Sequence, residues 1–302
     1  MYFRSRIFHA AVCVTLAASL YAFCARQGAV IISDQSFEER QFKPSRDTVF
    51  RADLWAPYLH AGETDPKDCG IGAFPKGIVS SAISTDLART GTHSGKCIMD
   101  INNGGICHKA MFRNDFLPKG AVWTDPDSER WIAFSIYLPA MGPDAWLKDS
   151  VPELVFQLHN DTVASPQLAL YSQNGLFSVR YRYSAEDPHT SRRTAQTAKT
   201  SWEGKIPTGH WIDWIWHIRF SPIEKKGVLQ VWMADGSLFQ QIVNEHNMRI
   251  GYPCSQVTNC DIGLYKWAWK CPVASSVKRR VIYIDAIRIE DRSATLTDME
   301  AQ

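Results

Sequence analysis

Trp131-Ile132-Ala133-Phe134-Ser135-Ile136-Tyr137-Leu138 places an apolar residue at every even position, which is the period of a β-strand with one face on a core. Outward from it, short apolar segments recur between turn clusters: Leu154 to His159, Gln167 to Tyr171, Leu176 to Tyr183, Trp211 to Phe220, Val228 to Ala234 and Val281 to Glu290. Short strands at such spacing predict an all-β sandwich. Helical periodicity is nearly absent, with Asp144-Ala145-Trp146-Leu147-Lys148 the one short candidate. Val228 to Ala234, followed by Asp235-Gly236, reads as a strand closed by a hairpin turn.

The chain has 302 residues, 45% of them hydrophobic, enough for one large all-β domain. Met1 to Arg26 carries Arg4 and Arg6, then an apolar run from Ile7 to Phe23 and no acidic residue, and reads as a secretory signal with Ala22 and Ala25 as alternative cleavage points. A single domain over residues 27–302 is expected to follow. Removing the leader takes Arg4, Arg6 and Arg26 from 33 basic side chains, leaving 30 against 31 acidic ones, so the formal charge moves from +2 to −1. That balance argues against a nucleic-acid partner, which needs a positive excess. The expectation is a secreted or periplasmic monomer with no stable membrane association once the leader is gone.

Six cysteines lie beyond the leader, and an even number in an exported chain suggests disulfides: one bridge among Cys69, Cys97 and Cys107, and one among Cys254, Cys260 and Cys271. No paired C-x2-C spacing points to zinc, and no P-loop, nucleotide or redox motif is present. No cofactor is expected. The one cation the sequence could hold is a structural calcium ion with oxygens from Asp100, Asn102, Asn103 and Asp285.

In Phe156-Gln157-Leu158-His159, alternation sends Phe156 and Leu158 into the core, in phase with Leu154, and puts Gln157 and His159 together on the other face. Taken alone, that pair reads as solvated surface sooner than as a catalytic pair. In Ile262-Gly263-Leu264-Tyr265, the same alternation buries Ile262 and Leu264 and leaves Tyr265 on the opposite face. Arg180 and Arg182 share one face of their strand. Of the 11 tryptophans, Trp214, Trp216 and Trp232 are expected in the core, while Trp267 and Trp269 suit either a core or a sugar-stacking face.

The ordered series of these segments, with Gly209-His210-Trp211-Ile212-Asp213-Trp214 and Gly227 to Trp232 between them, resembles the jelly-roll polysaccharide lyases that include heparinase I, glucuronan lyase and the smaller alginate lyases. The resemblance covers about residues 85–290. It implies a concanavalin-like β-jelly-roll sandwich of two antiparallel sheets, with a substrate groove on the concave sheet. It also implies a secreted enzyme that cleaves an acidic, uronic-acid-containing polysaccharide by β-elimination and leaves a C4–C5 unsaturated uronate end. By motif position, His159 and Tyr265 would be the proton-transfer groups and Gln157 the amide that steadies the substrate carboxylate. Arg113, in Met111-Phe112-Arg113-Asn114-Asp115-Phe116, stands where the alginate lyases carry the arginine of Arg-[Ser/Thr]-Glu-Leu, although Asn114 and Asp115 depart from that pattern. Lys266, Arg180 and Arg182 are further candidates for gripping acidic sugars, Lys266 also for lowering the pKa of Tyr265, and Trp267 for stacking on a ring.

Two other functions fit the same architecture. A lectin-like sandwich needs the aromatic platform but not a His–Tyr pair. A glycoside hydrolase needs two carboxylates flanking the scissile bond. The nearest acidic motif, Glu63-Thr64-Asp65-Pro66-Lys67-Asp68, contains proline, lacks apolar neighbours and reads as a loop.

Overall fold

The computed structural model describes residues 31–38, 56–60, 77–102, 106–117, 129–159, 164–186, 196–236, 238–253, 258–270 and 275–300. The expected leader, Cys69, Cys254, Cys271, Asn103 and the 63–68 segment lie outside them. The first eight strands are β1 (Ile31–Gln35), β2 (Ala56–His60), β3 (Ile78–Ser84), β4 (Ser94–Asp100), β5 (Lys109–Leu117), β6 (Glu129–Tyr137), β7 (Glu153–His159) and β8 (Leu168–Gln173). They are followed by β9 (Leu176–Tyr183), β10 (Thr197–Lys205), β11 (Trp211–Arg219), β12 (Gly227–Ala234), β13 (Gln240–Met248), β14 (Thr258–Tyr265) and β15 (Arg279–Asp291).

The strands form two antiparallel sheets, as expected of a jelly roll. One runs β13-β12-β11-β6-β15-β4-β3, with β1 also on β15, and the other runs β10-β9-β8-β7-β14-β5-β2. Strands with clean two-residue phase are the central ones. Ile132, Phe134, Ile136 and Leu138 are all fully buried between the sheets, against Phe156, Leu158, Leu170, Ile262 and Leu264 from the other side. Trp214 and Trp216 stack in this core, and Phe156 packs on Trp216 with ring centroids 4.8 Å apart.

Two local expectations are corrected. Asp144 to Lys148 is a turn-rich loop; the one α-helix among the described residues is α1 (Leu296–Glu300), which lays Met299 over the outer face of β6 and β11, where Trp131, Ala133, Ile215 and Trp232 are also buried. The β12–β13 connection runs through Asp235 to Phe239, longer than a two-residue hairpin turn. The polar edge strands β10 and β13, exposed along much of both faces, carry little apolar periodicity to read.

Cys97, Cys107 and Cys260 are free, buried thiols, so no bridge forms among Cys69, Cys97 and Cys107; in the second group only Cys254 and Cys271, both outside the described residues, are left to pair. Burial pushes the Cys97 and Cys107 thiols up to about 12, which keeps them protonated and inert. Two of the calcium candidates, Asp100 and Asp285, are engaged with protein groups. Asp100 faces Arg279 at 3.1 Å, while Asp285, six residues further along β15, accepts the backbone N–H groups of Arg89, Thr90 and Ala286. Among the described residues no His, Cys, Asp or Glu cluster has metal-binding geometry, and no helix is long and apolar enough to cross a membrane.

Where β7 begins and β14 ends, four buried charges tie the two sheets together. Arg280 on β15 donates from Nε to both Glu153 carboxylate oxygens at 3.0 Å, with Nη2 2.9 Å from Oε1. Lys266, directly after β14, lies 2.7 Å from Asp149 and 3.4 Å from Glu153, and Ser275 Oγ donates to Asp149 at 2.5 Å. Removing one member of such a set strands its partners without water, at about 3–5 kcal/mol. Lys266→Met is expected to lower unfolding free energy by about that amount in urea titrations; a loss below about 1 kcal/mol would show that the cluster is not a clamp.

Candidate active site

The site lies on the outer face of the second sheet, where β5, β14 and β7 are neighbours. Register puts Asn259 opposite His159, Asp261 opposite both Gln157 and Arg113, and Tyr265 opposite both Leu154 and Lys109. His159, Gln157 and Tyr265 therefore share one face of two adjacent strands, as alternation predicts. Leu154 does not follow the predicted phase. The register shifts between Leu154 and Phe156 against β8, and between Ile262 and Tyr265 against β7, so Leu154 turns outward and packs with Ala169, Tyr171, Tyr265 and Trp267. Such bulges bend a strand and redirect its side chains. Gly263 sits at this irregularity with φ +144, and a Cβ there would lie 2.6 Å from the Ala110 carbonyl oxygen. The glycine of the Gly-x-Tyr motif is thus required by backbone geometry.

Asp261, which the sequence reading passed over, is the hub. It is fully buried, accepts Arg113 Nε at 2.7 Å and Nη2 at 2.9 Å, and accepts Gln157 Nε2 at 2.7 Å. Lys109 Nζ lies 4.0 Å from the same carboxylate and 4.4 Å from the centre of the Tyr265 ring. Burial alone would push the Asp261 carboxyl up, but the Arg113 guanidinium, with Lys109 and the Gln157 amide, outweighs it and holds the group below the usual carboxylate range. Lys109 and Asp261 were legible in principle, since Lys109, Met111 and Arg113 alternate on one face and Asp261 stands two residues before Gly263 on the face of Tyr265.

His159 is partly exposed at the far end of β7, and its Nε2 donates to the Ala164 carbonyl oxygen at 3.0 Å, an assignment made from geometry. In the neutral ring that bond places the lone pair on Nδ1. Gln157 is 1% exposed; its nitrogen is turned down to Asp261 and its oxygen has no hydrogen-bond partner. Trp267, partly exposed in the 3-10 turn Trp267–Lys270, meets Tyr265 and Tyr171 edge-on at 5.9 and 6.1 Å, whereas Trp269 is buried. Two strands beyond β7, the Arg180 guanidinium stacks on Tyr171 at 4.6 Å, and Arg182 Nη1 donates to the Tyr171 hydroxyl at 3.1 Å.

Lys266 is a correction. Its side chain is fully buried in the Asp149–Glu153–Arg280 cluster, away from the outer face, and cannot reach a substrate. Following Tyr265 directly, it must point to the other side of the strand. The cation beside Tyr265 is Lys109.

A sequence profile described as polysaccharide lyase matches residues 79–288. The chain belongs to the polysaccharide lyase family. The lyase shares its fold with endo-β-1,4-glucuronan lyase from the fungus Trichoderma reesei, at 15% identity and a TM-score of 0.57 over 78% of this chain and 90% of that one. It also aligns with the PL-14 alginate lyase from Aplysia kurodai, at 9% identity and a TM-score of 0.50 over 86% and 99% of the two chains. No curated protein matches the sequence.

A depressed carboxyl stabilises the fold above its unfolded value near 3.9 and stops doing so as pH falls through its lower folded value. The urea midpoint of the wild type should therefore exceed that of Asp261→Asn by most at pH 7, and the gap should narrow steadily below pH 4. A gap of constant size down to pH 3 would mean that folding does not lower the pKa of this carboxyl, and a gap that widens would mean that the folded protein holds it protonated.

Proposed function

We propose that this lyase is exported and acts on a polymer of uronic acid, removing the C5 proton of one residue and expelling the glycosidic oxygen from C4. Electrons of the C5–H bond form the C4–C5 double bond as the C4–O bond breaks, and the leaving oxygen is protonated. The observation that supports this most is that His159, Tyr265, Arg113 and Lys109 stand on one face of three adjacent strands, with both cations beside the buried carboxylate Asp261.

The C5 proton is acidic only when the attached carboxylate is neutralised, because negative charge develops on it in the enolate-like transition state. Arg113 and Lys109 are the cations placed for that task. His159 and Tyr265 supply the proton transfers. Where the C5 proton and the leaving oxygen lie on opposite faces of the sugar, His159 removes the proton and Tyr265 protonates the leaving group; where they lie on one face, Tyr265 does both. The partly exposed Trp267, packed on the buried Tyr171 and Leu154, offers the adjoining surface for a ring face, and Arg180 and Arg182 extend the cationic surface towards a second acidic residue.

The test is a panel of glucuronan, alginate and heparin-like chains, followed by ultraviolet absorbance of the unsaturated end. Turnover is expected on at least one non-sulfated polyuronate, falling about 10²–10⁴-fold in His159→Ala and in Tyr265→Phe while binding changes little. Binding to a polyuronate without product in the wild type would favour a lectin-like sandwich. Reducing ends without ultraviolet absorbance would favour hydrolysis.

A further inference from the structure

The orientation of Gln157 carries information that its position in the motif does not. An ionised carboxylate accepts hydrogen bonds and donates none, so Asp261 admits only one sense of the neighbouring amide: Nε2 towards Asp261, Oε1 away. Arg113 clasps the same carboxylate through two donors, which fixes it against rotation. The Gln157 oxygen is left on the floor of the site, buried and without a hydrogen-bond partner. A buried acceptor in this state calls for an explanation, and on the strand face shared with His159, Arg113 and Tyr265 a ligand group that completes the bonding supplies one.

We infer that Gln157 meets the substrate as a hydrogen-bond acceptor, held in that sense by Asp261 as positioning residue, and that the site thereby selects a uronate with an unblocked ring hydroxyl beside the reacting carbon. The inference rests on the lyase reading for the class of ligand. It assigns the carboxylate to Arg113 and Lys109, and gives Gln157 a different partner from the one its motif position implies. A hydroxyl donates to Oε1; an ester at the same place cannot, and leaves the acceptor unpaired.

The discriminating experiment uses glucuronan and alginate, each with free hydroxyls and O-acetylated, on the wild type, Gln157→Leu and Asp261→Asn. The wild type should prefer the free polymer at least about tenfold in kcat/KM, the scale of one acceptor left unsatisfied. Both variants should lose most of that ratio, Gln157→Leu because it cannot accept and Asp261→Asn because the amide is free to turn over. Equal wild-type rates on the two polymers would overturn the inference. A preference retained in Gln157→Leu would overturn it too, since the selection would then be steric. If Asp261→Asn does not fold, Gln157→Leu carries the test alone. Calorimetric binding of the same pairs reads the preference without turnover, so preferential binding with no product from any polymer refutes the lyase reading and leaves the orientation of Gln157 standing.

Discussion

The buried contact of Glu153 with Arg280 and Lys266 is the constraint on which the site depends. Glu153 is the first residue of β7, Lys266 follows the last residue of β14, and Arg280 belongs to the opposite sheet. Three charges without access to water fix how two neighbouring strands end relative to each other and to the rest of the sandwich. From those fixed ends the two strands meet with unequal residue counts, Gly263 and Leu264 of β14 against Val155 of β7, and Val155 is in turn surplus against β8. The bulges turn Leu154 outward beside Tyr265. A structural ion cluster on the inner side thus settles where the tyrosine of the outer side stands.

The floor of the site follows a different electrostatic logic. Two cations, Lys109 and Arg113, share one buried anion, Asp261, so the cluster keeps a positive excess while its guanidinium is held in a single orientation. Without Asp261, Lys109 and Arg113, on one face of β5 with Met111 between them, would have no shared anion to draw their charged ends together. One anion for two cations pre-organises the groups that must meet a developing negative charge, which is where electrostatic catalysis draws most of its effect.

Much of this was legible from alternation alone. The core faces of β6 and β7, and the common face of Gln157, His159 and Tyr265, follow from a period of two wherever a strand is regular and covered on one side. The misses have physical causes. Leu154 reads as core because a sequence does not announce a bulge, except through a glycine whose need for φ +144 is visible only in three dimensions. Lys266 was attached to the site by chemical type, although its place after Tyr265 already put it on the other face. The cysteines read as a disulfide framework because export suggests one, yet Cys97, Cys107 and Cys260 are packed as small apolar residues. Asp261 escaped notice because the sequence shows a lone carboxylate as a charge, and only the register across three strands shows it as a common partner.

The aromatic end of the site completes the argument about substrate. Tyr265, Trp267, Tyr171 and Leu154 form a continuous apolar cluster on the outer face, immediately beside Lys109 on one side and Arg180 on the other. Leu154 and Tyr171 are buried, so a ligand would meet the partly exposed Tyr265 and Trp267, with an ammonium group at one end and a guanidinium at the other. A uronic acid ring presents C–H groups on its face and a carboxylate at its edge. A neutral sugar would use the aromatic surface and leave the cations unmatched; a small polyanion would use the cations and leave the aromatic surface exposed. A chain with both features would meet the two surfaces together, which is the physical ground on which we propose a polyuronate as the substrate.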